Sequence, residues 1–163
     1  MPDRPLTSER VLTMLAATPP RIAALAAGLA PAQLHAPPGH AAWSANDLLA
    51  HLRSCADVWG GCIAAMLAED TPTLRAVNPT AWIKQTDYRE QGFRPSLHVF
   101  TTQRAELLAA LTPLAPAGWS RAATVTGAGK VLERTVLSYA QRLAGHERPH
   151  LKQLECIVAT MPR

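Results

Sequence analysis

The sequence predicts an all-α protein, a four-helix bundle in a single domain covering residues 1–163. Three observations carry this expectation. Alanine and leucine are abundant while aromatic residues make up only 5%, a balance that favours helices over strands. Four long segments place apolar side chains at helical spacing. The length is that of one domain, enough to bury roughly two-thirds of the surface an unfolded chain exposes.

The first helix begins at Thr7 or Ser8, either of which can cap it, and extends to about Leu29. Val11, Leu12, Leu15, Ile22, Leu25 and Leu29 form its apolar face. Pro19 and Pro20 interrupt the pattern, and a proline inside a helix loses one hydrogen bond, so a kink or restart is expected there. Pro31, Pro37, Pro38 and Gly39 mark a loop over residues 30–42. The second helix has the clearest start. Ser44-Ala45-Asn46-Asp47 is close to a capping box, and Leu48, Leu49, Leu52, Ala56, Trp59, Ile63, Met66 and Leu67 follow at helical period to about Glu69. Trp43 precedes the cap and can fold back on Leu48 or a neighbouring helix. Residues 70–93 are too long a connection to lack structure, and Asn78-Pro79 has the form of a cap followed by proline at the first helical position. A short helix over about 79–90 is therefore expected. The third helix starts at Pro95 or Ser96 and carries Leu97, Phe100, Leu107, Leu108 and Leu111. Residues 117–131, with Thr124-Val125-Thr126 and two glycines, predict a small hairpin or an extended lid. The fourth helix runs from about Leu132 to Met161, with Val136, Ala140, Leu143, Leu151, Leu154 and Val158 on one stripe.

The long link between the second and third helices can cross the bundle, so those two can run parallel. This gives an up-down-down-up order in which the second and fourth helices are antiparallel.

Composition excludes several classes of function. Hydrophobic residues are 48% and charged residues 17%, which excludes a disordered chain. The net charge is +4, but the basic residues are scattered, without runs or interleaved aromatics, so a nucleic-acid partner is not expected. Three cysteines, Cys55, Cys62 and Cys156, are too few and odd in number for a disulfide framework. No stretch has the length and apolarity of a membrane span. Met1-Pro2-Asp3-Arg4 leads into a helical pattern rather than a signal peptide. A reduced, cytoplasmic protein is expected.

The chemistry concentrates on three of the six histidines. His146 and His150 are four residues apart on the fourth helix, so their imidazoles share one face and can converge on a metal. Alone, the pair also reads as two half-buried polar residues with separate partners. His51 adds a third. It lies seven residues past Ser44, roughly 10 Å along the axis. His150 lies about eleven residues before the end of its helix, roughly 16 Å from it. In an antiparallel pair these heights nearly match.

The segment Trp43-Ser44-Ala45-Asn46-Asp47-Leu48-Leu49-Ala50-His51-Leu52, together with Gly145-His146-Glu147-Arg148-Pro149-His150-Leu151-Lys152-Gln153, resembles the DinB-like helical-bundle family. The resemblance extends over most of the chain. It implies a four-helix bundle, usually a homodimer, with one divalent metal held by three histidines, which match His51, His146 and His150. It also implies a small-molecule substrate. The family contains S-transferases and isomerases that use low-molecular-weight thiols such as bacillithiol or mycothiol, and members described as metal-dependent hydrolases or of unknown activity. Three neutral imidazoles leave a divalent ion its full charge and an open position. A thiol bound there becomes a thiolate nucleophile, and a bound water becomes hydroxide. Imidazoles suit Zn or Ni, and also Fe or Cu. A third reading is a non-catalytic metal-binding protein of a stress response.

Other residues are secondary candidates. Cys55, one turn past His51, could be a fourth ligand, although a buried, inert cysteine is the commoner role. Asp47 could orient His51 or only cap its helix. Gln153 could reach the site from His150. Glu147 points away from His146 and is not expected to act as a base. Pro149 is expected to kink the fourth helix, with Gly145 one turn earlier taking up the distortion, and so to re-aim His150. His35, His40 and His98 read as surface or cap residues. Arg94 and Arg104 could hold an anionic thiol, but surface charge is the plainer reading for both.

Overall fold

The structure is a computed structural model that describes residues 4–162. The first three residues, on which the expectation of no signal peptide partly rests, lie outside the described residues. Four long helices form the body: α1 (Ser8–Ala26), α3 (Ala45–Ala68), α5 (Phe93–Leu111) and α7 (Val136–Ala159). Short helices α2 (Pro31–His35), α4 (Pro79–Trp82) and α6 (Pro116–Trp119) lie in the connections, and α4 continues as a tighter turn over Ile83–Gln85. Strands β1 (Thr73–Arg75), β2 (Ala122–Thr126) and β3 (Leu132–Thr135) form one sheet in the order β1-β2-β3. The chain is therefore mainly helical rather than wholly so.

Contacts between the long helices define how they run. Arg53 of α3 bonds Ser96 of α5, and Asp57 accepts from Gln103, so residue numbers rise together along that pair. Thr18 meets Glu147 and Arg21 meets Glu155, so α1 and α7 also rise together. On α3 and α7 the numbers run in opposite senses, since His51 faces His146 and His150 while the earlier Arg142 faces Trp59.

The N-terminal caps follow side-chain chemistry. Thr7 Oγ1 accepts from Arg10 N at 3.2 Å. Ser44 and Asp47 form the expected reciprocal box, with Ser44 Oγ accepting from Asp47 N at 3.0 Å and Asp47 Oδ2 accepting from Ser44 N at 3.0 Å. Thr135 and Ser138 form a second box. It sets the start of α7 at Val136, so Leu132–Thr135, expected as helix, is instead the outer strand of a hairpin. The hairpin turn needs Gly127 and Gly129, both at positive φ (85° and 86°). The parallel pairing of β1 with β2 has no local sequence signal, because its partners lie some fifty residues apart.

α1 runs unbroken through Pro19 and Pro20. Pro19 cannot donate to Leu15 O, and Arg104 Nη1 donates to that carbonyl instead at 3.0 Å. Ala16, whose carbonyl Pro20 leaves free, is exposed to water. α7 likewise continues through Pro149, with Gly145 exposed one turn earlier.

The core consists of two apolar clusters. One holds Val11, Leu15, Trp59, Ile63, Val125 and Leu143. The other holds Ile22, Leu48, Leu52, Phe100, Leu154 and Ile157. Between them the helices carry polar residues at one level: Thr18, Arg104, Glu147 and the three histidines. Arg104 and Glu147 are both buried and paired, each side chain 2% exposed. This corrects the reading of Arg104 as surface charge. Glu147 also accepts from Thr18 Oγ1 at 2.7 Å.

Removing one partner of such a pair strands a buried charge, which costs about 3–5 kcal/mol. Arg104→Met should therefore lower the urea midpoint sharply. Arg104→Met combined with Glu147→Leu should recover much of the loss; equal loss in the double variant would show that lost packing, not charge, is the cause.

Candidate metal centre

His51 lies in the second turn of α3, with its side chain buried against Trp43, and its Nε2 is 2.9 Å from His146 Nε2. His150 Nε2 is 3.2 Å from the same atom. Three imidazole nitrogens thus gather at one point between α3 and α7. A metal about 2.0–2.1 Å from each nitrogen would separate tetrahedral ligands by about 3.3 Å and right-angle ligands by about 2.9 Å. The 2.9 Å spacing matches the right-angle value and the 3.2 Å spacing lies near the tetrahedral one, so both are of the size a divalent ion requires.

Aromatic rings hold the imidazoles in place. Trp43 stacks on His150, with centroids 6.1 Å apart and planes 16° apart. Trp59 meets His146 edge-on at 5.1 Å. Gln153 does reach the site, its Oε1 lying 3.0 Å from His150 Nδ1. An amide oxygen only accepts, so Nδ1 carries the proton and the Nε2 lone pair is left for a metal. Pro149 does not prevent His146 and His150 from converging.

Protonation favours ligation. Burial, then the charges His150, His146 and Arg89 would place beside it, push His51 down from 6.5 to about 4. Burial, with His150 and Arg142, also lowers His146. Neutral imidazole is the ligating form. Cys55 adds a fourth donor, its Sγ 3.6 Å from His51 Nε2. His51, Cys55 and His146 offer ligand atoms that all lie within 4.8 Å of one another. Burial, reinforced by the Glu147 charge, raises the Cys55 thiol to about 12, so it stays protonated beside the imidazoles unless a metal displaces its proton.

The remaining candidates separate from the site. Asp47 is occupied by the Ser44 cap and has no hydrogen bond to His51 among the described residues. Glu147 faces Arg104. His35, His40 and His98 are exposed, and Arg94 donates to Leu29 O.

A cavity of about 490 Å³ opens beside the cluster, between α3, α7 and the sheet. His51, Cys55 and His146 line it, together with residues that include Val125, Leu132, Arg134 and Arg142. A second cavity of about 580 Å³, bordered by Trp43, His150 and Gln153, lies on the other side. The arginines were not anticipated, and of the sheet only a hairpin over residues 117–131 was expected. Arg142 had a signal, since it stands four residues before His146 and so shares its face of α7. Arg134 had none, because its placement depends on strand pairing.

Helical bundle, buried polar layer and converging imidazoles together define a helical-bundle protein with a candidate metal centre. The chain belongs to the DinB superfamily, whose family model matches residues 14–154. No curated protein matches it. Among solved structures it is similar to YfiT from Bacillus subtilis, described as "a probable metal-dependent hydrolase with an unusual four-helix bundle topology". The two are 16% identical, with a TM-score of 0.78 over 96% of this chain and 90% of that one. At that identity the likeness is one of fold.

Two outcomes follow from the protonation states. An unfolded chain takes up a proton at its histidines near 6.5, whereas folded His51 resists until about 4. The metal-free protein should therefore hold its full stability above 6.5 and lose stability as the pH falls toward 4. Urea midpoints across that window should fall less for His51→Gln; parallel curves would assign the loss to other groups. With an aromatic disulfide reagent at mildly alkaline pH, exposed Cys156 should react in the native state and Cys55 only on unfolding, as mass spectrometry of the labelled peptides would show.

Proposed function

We propose that this protein binds one divalent metal ion, Zn or Ni in the first instance, through Nε2 of His51, His146 and His150, and is an enzyme acting on a small molecule. The observation that carries the reading is the convergence of three imidazole nitrogens, two of whose histidines, His51 and His146, line a cavity of about 490 Å³. The bundle is taken as up-down-down-up, an order supported by the senses in which α1, α3, α5 and α7 meet. The ion would supply Lewis acidity, lowering the pKa of a thiol or water at its open position.

The favoured reaction is thiol transfer, in which a low-molecular-weight thiol of the bacillithiol or mycothiol type attacks an electrophile held in the cavity. Trp59 and Val125 would shield the reacting atoms from bulk water. Gln153 would fix the His150 tautomer. The family resemblance and the room beside the histidines support this. Hydrolysis is the second reading, favoured by the description of YfiT. The reading also includes a cytoplasmic setting and, from the resemblance alone, a homodimer.

His51→Ala should abolish stoichiometric metal binding in calorimetry, and retained tight binding would show that the triad is wrong. Cys55→Ser should keep the metal. If it loses the metal while His150→Ala keeps it, the donor set is His51, Cys55 and His146 instead. For the metal-loaded protein, loss of thiol in the presence of bacillithiol and an alkylating electrophile, with the conjugate seen by mass spectrometry, supports transfer. Cleavage of the electrophile without thiol supports hydrolysis. An inert protein with four protein ligands on the metal would overturn both.

A further inference from the structure

The cavity beside the histidines has an uneven charge. Eighteen residues line it, and none is Asp or Glu. Two are arginines, Arg134 from β3 and Arg142 from α7. Both also line an adjoining recess of about 270 Å³ with Ser138 and Tyr139. Among the described residues neither guanidinium has a carboxylate within ion-pair distance. The face of Arg142 lies 4.9 Å over the Trp59 ring, which leaves its N–H edge free. Several other arginines of the fold are engaged. Arg104 is paired with Glu147, Arg121 caps the last carbonyls of α3 at Met66 and Glu69, and Arg53 bonds Gln91 and Ser96. Two unpaired guanidinium groups converging on one carboxylate-free cavity match an oxyanion, which arginine binds through paired N–H donors.

We infer that the molecule acted on at the histidine cluster carries an oxyanion, a carboxylate or a phosphate, that Arg134 and Arg142 hold. The inference rests on the metal reading above. Position along α7 adds a length. Ser138, Arg142 and His146 are spaced four apart on one face, so the rise of the helix puts Arg142 roughly 6 Å and Ser138 roughly 12 Å from His146. The recess that Arg142 shares with Arg134 therefore lies roughly 6–12 Å along the helix axis from the level of His146. Arg134 and Arg142 are specificity-determining residues.

The test uses the zinc-loaded full chain and probes that grip a metal whichever reaction the protein performs. Suberic acid monohydroxamate has a metal-binding head and a carboxylate at about the right reach, its terminal amide lacks the charge, and the corresponding phosphonate carries a different oxyanion. Calorimetry should show either anionic probe binding at least about tenfold tighter than the amide, with the better of the two assigning the type of oxyanion. Arg134→Gln with Arg142→Gln should remove the preference while the amide binds as before. If the double variant also loses zinc, Arg134→Gln alone decides, since Arg134 lies off α7 and away from the histidines. Equal affinities for all three probes in the zinc-loaded native protein would overturn the inference. Failure of the native protein to take up zinc or any of nickel, iron and copper would overturn the metal reading itself, and the inference with it.

Discussion

The ion pair of Arg104 and Glu147 is the constraint around which the bundle is arranged. It is buried at mid-height, where an apolar bundle would place leucines. Arg104 comes from α5 and Glu147 from α7, while Thr18 Oγ1 and Leu15 O of α1 complete the group. Three of the four long helices are thereby fixed in height, because charge-assisted hydrogen bonds tolerate little displacement. A buried pair is weak evidence for stability, since its desolvation offsets much of its attraction. Its value here is register. Glu147 follows His146, so fixing Glu147 toward α1 and α5 turns His146 toward α3, where His51 stands. The same group accommodates Pro19, whose freed carbonyl partner on Leu15 becomes a ligand for Arg104 rather than an unsatisfied buried group.

The connection between α3 and α5 is fastened as firmly as the helices. Asp57 Oδ2 accepts from Trp82 Nε1 at 3.1 Å and Tyr88 OH at 2.5 Å, and Oδ1 accepts from Gln103 at 2.8 Å. Ser54 Oγ donates to Pro79 O, and Asn46 Nδ2 to the carbonyls of Arg89 and Gln91. Arg53 lies over the Tyr88 ring at 3.8 Å. These bonds draw residues 76–80 across the mouth of the cavity, where they form one wall while β2 and β3 form another. An extended crossover thus serves two ends. It lets α3 and α5 run the same way, and it encloses a space beside the histidines that four helices alone would leave open.

What could be read in advance follows the range of the interactions. The start of α3 was legible because Ser44 and Asp47 are three residues apart, and the His146–His150 pair because one helical turn brings them together. His51 was legible through the register argument and the family resemblance. The start of α7 was misplaced by four residues because the Thr135–Ser138 box uses serine where the usual signature has an acidic or amide side chain. β1 was missed because a three-residue strand carries almost no periodicity, and its pairing to β2 is a tertiary event. Arg104 was misread for a related reason. On its own helix it resembles any surface arginine, and only Glu147, forty-three residues away, explains its burial.

The charges around the histidines also bear on why the cluster faces two cavities. The three imidazoles bring no negative charge to the point where a divalent ion would sit, so the ion would keep its full charge unless it displaced the proton of Cys55. Glu147, the nearest buried carboxylate, is already neutralised by Arg104. Arg134 and Arg142 add to the positive potential on one side, while Trp43 and the methylene-rich wall near Ile157 leave the other side apolar. A site of this kind does not satisfy its own electrostatics. On the reading proposed above, the balance would come from an anionic ligand or a thiolate. Low local dielectric makes that deficit count more than it would in water. The buried ion pair therefore does two things at once: it sets the height at which the histidines meet, and it removes from their neighbourhood the one carboxylate that could have supplied the missing charge.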